Sequence, residues 1–486
     1  MMRPLPLVLA ALLVTGAAVA GAIAALPTLA TPEVETGPAP AHDGHDRGAH
    51  AAPASWTPEQ VEALRMRTGE GKVPTLLEAL KLKRLPSIRI ASDDGFTPAA
   101  GVVGGKGTLE SPYVIEGVYT DVLHLSDTNA FFEVRNSYIA NTLVLDWTNL
   151  GGFVHHNHVG DLRVNRNVER VGMPTAAVIA NNEIGQIGQL RHFDGVLSGN
   201  IIGDKSRPAL GGRVLLLDGY NGAAILNNTV YGYAEMKLHG HHHSGTHGAS
   251  HNHALEDAED HGERHHSLLV AGNRFVDPLG RGLRVHDRDH AGDDRTATSE
   301  TNPDLVGNHT HWTTLRILGN RFEGAGLFVD VFNAPDSYHQ DMYRGTLTVE
   351  GNTFRDLTDS AIRLGDIAMG EVVVRGNTAA TGPIVGRVAG LDAYRLQAAT
   401  LLVEDNRFEG VYYGVRARDF DEATRWDVVA LQAPGASYSV WYDESVANPP
   451  GEGGGEGATD GHDHEHNRSV APVARAADRL AAAQVR

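Results

Sequence analysis

The chain has 26 histidines and no cysteine. Disulfides, thiolate metal sites and a thiol nucleophile are therefore excluded, and imidazole and carboxylate remain as the groups able to hold a metal. Neutral imidazole suits copper, zinc and nickel. Nine histidines crowd one stretch, 240–266: His241, His242, His243, His247, His251, His253, His261, His265 and His266. His42, His45 and His50 precede it near the N-terminus, and His462, His464 and His466 follow near the C-terminus. Low-complexity His tracts chelate transition metals loosely and with little selectivity. A tighter arrangement is a two-His, one-carboxylate set of His239, His286 and Asp330, with Asp218 and His290 close to the same positions. Beside these runs a set of mainly basic residues, Arg163, Lys237, Arg284, Arg363 and Arg416. They can pair with the carboxylates or sulfates of an acidic polysaccharide, or with acidic neighbours such as Asp287, Asp366 and Asp419. In a lyase the proton-abstracting base would be Lys237 or Arg284. Of the six lysines only Lys205 and Lys237 lie beyond the first quarter of the chain.

What must position these groups is a phrase that returns throughout the middle of the sequence, as in Leu315-Arg316-Ile317-Leu318-Gly319-Asn320-Arg321-Phe322. Its asparagines are Asn136, Asn157, Asn182, Asn200, Asn228, Asn273, Asn320, Asn352, Asn377 and Asn406, mostly 18 to 32 residues apart. An alternating apolar run before each Asn predicts a short strand, and a recurring strand plus turn predicts a solenoid. The expected fold is all-β: a right-handed, single-stranded parallel β-helix of ten to twelve coils over 87–446. Coils stack about 4.8 Å apart, so the asparagines should form one inward ladder, with the preceding Gly supplying an unusual dihedral.

After each Asn comes a second alternating strand, and aligning these strands generates the site residues. They read Leu143-Val144-Leu145-Asp146, Leu162-Arg163-Val164-Asn165, Leu215-Leu216-Leu217-Asp218, Met236-Lys237-Leu238-His239, Leu283-Arg284-Val285-His286, Leu327-Phe328-Val329-Asp330, Ile362-Arg363-Leu364-Gly365 and Val415-Arg416-Ala417-Arg418. First and third positions point in; second and fourth point out on one face. The second position is the basic column, interrupted by Leu216 and Phe328. The fourth places Asp218, His239, His286 and Asp330 on successive rungs. Large insertions at 240–266, 287–313 and 331–345 leave from the same strand ends and are expected to wall a cleft over that face. The second opens with Asp287-Arg288-Asp289-His290, and the third holds Asp336, His339 and Asp341.

Residues 5–26 carry no charge and predict an export signal within 1–30, either cleaved near Ala30 or kept as a membrane anchor. A Pro, Gly, Ala and His linker follows over 31–54. A helical cap is expected over 55–86, opened by Thr57-Pro58-Glu59-Gln60, with a second helix carrying Leu76, Leu77 and Leu80. A Gly and His tract over 447–468 and a short helix over 469–486 end the chain. Net charge of −19 over 486 residues argues against nucleic acid as a partner and favours cations.

The opening of the repeat, Gly101-Val102-Val103-Gly104-Gly105-Lys106-Gly107-Thr108-Leu109-Glu110-Ser111-Pro112-Tyr113-Val114-Ile115-Glu116-Gly117, together with the Asn repeat over about 88–420, resembles NosD-like periplasmic copper-binding proteins. These belong to the wider carbohydrate-binding and sugar-hydrolysis β-helix group. The resemblance implies the β-helix fold more strongly than any activity. Copper(I) prefers sulfur ligands, which the absence of Cys and seven scattered Met supply poorly, so bound copper would be copper(II) on His. The Asn-x-Asp, Asp-Asp, Gly-His-Gly and Arg-x-Lys combination of β-helix pectin hydrolases is missing. The expectation is an exported protein, periplasmic, cell-surface or extracellular, that binds copper, zinc or nickel through His. The alternative is a polysaccharide-binding protein, lyase or glycosidase working in the same cleft.

Overall fold

The computed structural model describes residues 71–146, 152–165, 177–191, 193, 195–208, 212–218, 222–237, 264–286, 310–331, 342–367, 370–381, 387–443 and 445–447. The chain divides into two units, Met1–Gly48 and Ala49–Arg486, and every described residue belongs to the second. That unit is an all-β parallel β-helix. Its strands form sheets of 19 and 13 strands. In the smaller sheet Val102–Gly104 runs antiparallel to Tyr113–Glu116. The other twelve strands, from Tyr113–Glu116 to Arg425–Val429, mark successive coils among the described residues.

One coil shows how the sequence makes the others. Along Thr310–Leu318 the alternation buries Leu315 and Ile317 and leaves Arg316 outside. Gly319 then turns the chain at φ 58°, a left-handed conformation that costs glycine nothing and a side-chain-bearing residue about 1 kcal/mol. Asn320 follows, buried, and Arg321–Asp330 carries Phe322, Leu327 and Val329 into the core. The phenyl rings of Phe275, Phe322 and Phe354 stack along the axis with centroids 5.0 and 4.7 Å apart, which explains the recurring aromatic two residues after Asn.

The ladder is directional. Asn320 N and Nδ2 donate to Asn352 Oδ1 at 2.9 and 3.0 Å, while Asn320 Oδ1 accepts from the same two groups of Asn273. Nδ2 also donates to Val270 O at 2.9 Å. This link repeats from Asn157 to Asn406. Asn136 is a correction: it is the left-handed residue, at φ 49°, and Ser137 occupies the ladder position, donating N–H to Asn157 Oδ1 at 2.9 Å. The register explains the slip. Val134 pairs with Val154, and three residues beyond each lie Ser137 and Asn157.

Two boundaries also differ from expectation. Leu76, Leu77 and Leu80 are exposed, and the helix Leu76–Ala79, capped by Thr75 and Glu78, buries only Ala79. The leucines thus do not form a lid on the first rung. Lys83–Arg84 and Ile88–Ile90 instead pair with Val118–Ser126, burying Ile88 and Ile90. The helix expected from Thr57 lies outside the described residues, as do the segments 1–54 and 448–486. The expected insertions are also shorter, because Arg264–Ala271, Thr310–Leu318 and Met342–Glu350 begin inside them. His265 and His266 belong to a rung and pair through backbone with Trp312 and Thr313.

Candidate functional site

The outward positions of the strands after the Asn turn form two adjacent columns, and their register decides what meets what. Asp218 pairs with Lys237, Lys237 with His286, and His286 with Asp330. The fourth position of that rung is therefore Lys237. His239, two residues further along, lies outside the described residues. The second position is Glu235, set between Leu216 and Arg284. Both registers satisfy apolar alternation, since Ala234 and Met236 point inward as readily as Met236 and Leu238 would. The strand Tyr233–Lys237 begins directly after the bend at Gly232, and that short bend selects the first register. The basic column accordingly loses Lys237 and gains Glu235.

Glu235 bridges two partners. Its Oε1 lies 2.9 Å from His286 Nε2 and its Oε2 2.7 Å from Arg213 Nη1. The hydrogen bond from His286 is the first cause that holds the carboxyl down at about 2, followed by the opposing effect of burial and the Arg213 bond. Glu235 is therefore ionised and accepts, so His286 Nε2 carries the proton. His286 is only 5% exposed, and its Nδ1 is buried without a hydrogen-bond partner. A buried ring nitrogen with a free lone pair, on a ring oriented by a carboxylate, is the arrangement of a metal-ligating histidine and its supporting shell. Asp330 is buried on the next rung. Arg284 is exposed, and the Tyr233 hydroxyl is shifted upward mainly by burial.

Further along the same column the arginines are neutralised from within. The order is Arg284, Phe328, Arg363, Asp392, Arg416 and Trp441. Asp392 is fully buried. It takes Arg416 Nε at 2.8 Å, Arg418 Nη2 at 3.2 Å and, more distantly, Arg363 Nε at 3.6 Å. Arg363 also reaches Asp359 Oδ1 at 2.8 Å. Aromatic faces carry the guanidiniums: Arg363 lies over Phe328 and Arg416 over Tyr413. Of the expected acidic partners, Asp287 lies outside the described residues and Asp366 holds Arg395. Asp392 was missed because its strand, Ala389–Leu396, lies one coil after Arg363 and was left out of the alignment.

Among the described residues no three His or carboxylate groups converge as a ready metal cage. His239, His241, His242, His243, His247, His251, His253 and His290 lie outside the described residues. The strands that flank 238–263 end at Lys237 and begin again at Arg264, so that insertion leaves the fold one rung from His286. Arg163 bonds Asp161. Fold and face together define a parallel β-helix with a histidine–carboxylate pair on its larger sheet. No family model matches the chain, and no curated protein or solved structure matches it either.

Proposed function

We propose that this is an exported β-helix protein that binds a transition metal ion, copper, zinc or nickel, through histidine, in the manner of the NosD-like proteins it resembles. The observation that carries the reading is His286: one nitrogen on an ionised Glu235, the other buried without a partner. Asp330 on the adjoining rung and the His-rich insertion leaving at Lys237 are the nearest sources of further ligands. Cysteine is absent, so the donor set is nitrogen and oxygen, which suits copper(II), nickel(II) and zinc. Export rests on the apolar segment 5–26.

Titration calorimetry on untagged protein tests the reading. His286→Ala should remove one tight equivalent of metal while leaving the melting temperature within a few degrees. Unchanged tight binding in that variant would remove His286 from the site. The polysaccharide alternative is weaker, because Asp392 and Asp359 already neutralise the arginines it would use. Cleavage or retention of an acidic glycan such as alginate or pectate, lost in Lys237→Ala or Arg284→Ala, would revive it.

A further inference from the structure

A second pair of histidines sits on the other sheet, near the start of the β-helix and far along the chain from His286. His155 ends the strand Gly152–His155, and His156 is the turn residue before Asn157. His155, with a side chain 3% exposed, places Nε2 2.9 Å from Glu133 Oε1. Its Nδ1 lies 2.9 Å from Nδ1 of His156, with the two rings nearly perpendicular.

Position 156 is unusual for its side chain. The equivalent turn residues Gly117, Asn136, Asn181, Gly199, Asn227 and Gly272 share its left-handed backbone, and they are the types that tolerate it. His156 adopts φ 55° with a bulky imidazole. That conformation is what turns the ring back beside His155, since consecutive residues of a straight strand point to opposite faces. The backbone of Gly71 rests on the His156 ring; a Cβ there would come within 2.5 Å of Cγ.

We propose that His155 and His156 form a two-nitrogen chelate for a square-planar divalent ion, copper(II) above all, with Glu133 as the carboxylate that orients His155. Two nitrogens bound cis at right angles, each about 2.05 Å from the ion, lie about 2.9 Å apart, and that is the separation observed. Without an ion, His156 Nδ1–H donates to His155 Nδ1. When the ion binds, that proton moves to His156 Nε2, the ring turns slightly, and two lone pairs converge with no net release of protons.

The hydrogen bonds continue into a second shell. Glu133 Oε1 accepts from Arg135 Nη1 at 2.8 Å, Arg135 Nη2 reaches Glu116 Oε2 at 2.9 Å, and Asn136 Nδ2 reaches Glu116 Oε1 at 2.9 Å. Two carboxylates against one guanidinium leave the cluster net negative, as a cation requires. No third protein ligand converges among the described residues.

The site stands independently of the one at His286, and its test uses full-length untagged protein with copper(II). His156→Asn keeps a residue that accepts left-handed backbone, as at Asn136, Asn181 and Asn227, and removes one chelating nitrogen. In equilibrium dialysis at buffered free copper(II) it should bind one equivalent per chain fewer than wild type, and copper should raise its melting temperature less. His286→Ala should leave that copper-dependent difference intact. Glu133→Gln, which keeps a hydrogen-bond acceptor, should weaken the same site roughly 10- to 100-fold, which covers the case in which His156→Asn folds poorly. Equal copper stoichiometry and equal thermal shifts in wild type and both variants would overturn the proposal and leave the pair a plain N–H···N hydrogen bond.

Discussion

Glu235 remains charged far into acid because His286 and Arg213 both donate to it, holding its carboxyl at about 2 against an ordinary 4.5. The sign follows from linkage: a depressed carboxylate contributes stability that is complete above about pH 4.5 and is lost as pH falls toward 2. Glu235→Gln should therefore lower stability by about 1–3 kcal/mol at pH 7, and urea melts should show the gap from wild type closing between pH 4.5 and 2. A gap that stays constant over that range would mean that its charge is not what the neighbours recognise. Asp392 carries a heavier load, being the buried counter-charge of Arg416, Arg418 and Arg363. Asp392→Asn leaves Arg416 and Arg418 without their buried counter-charge and should cost about 3–5 kcal/mol, whereas Asp359→Asn, at a half-exposed carboxylate, should cost about 1 kcal/mol or less. Chemical denaturation of the two variants side by side measures the contrast.

The Asn turn is the element that fixes the spacing of the coils, and its two positions do different work. The ladder residue satisfies buried backbone and amide groups; the residue before it bends the chain. Asn320→Ala strips an acceptor from both Asn273 N and Asn273 Nδ2 in a buried site, for a loss of about 1–3 kcal/mol. Asn136→Gly changes a half-buried bend residue whose φ is already 49°, and glycine adopts that angle freely, so the change should stay within about 1 kcal/mol. Similar melting temperatures for the two variants would contradict the division of roles. The strands themselves show how one bend alters chemistry: at Gly232 the chain turns early, so Glu235 rather than Lys237 pairs with Arg284.

The β-helix is a stack in which each coil packs on its neighbours, so a connection between rungs can change without disturbing the rungs. Replacing 239–261 by three small residues leaves nine residues between Lys237 and Ser267, ample beside the three that link their rung equivalents Asp218 and Gly222. It keeps the strand that starts at Arg264. The shortened protein should melt within a few degrees of wild type and lose most loosely bound zinc, nickel or copper in dialysis. Retention of every metal equivalent would take the insertion out of the metal-binding reading.

Period alone determined much of this protein: the apolar alternation, the Gly-Asn phrase and the aromatic two residues later define a parallel β-helix, its buried ladder and most of its extent before any coordinates, because each coil repeats the same local solution. The phrase also carried its own error at Asn136, where Asn serves as bend residue and Ser137 stands in the ladder. The pairing across coils was beyond it. Strands of period two fit equally well when slipped by two residues, and only the lengths of the bends, which the tertiary structure sets, bring Glu235 to His286, Asp392 among three arginines and the two nitrogens of His155 and His156 to 2.9 Å.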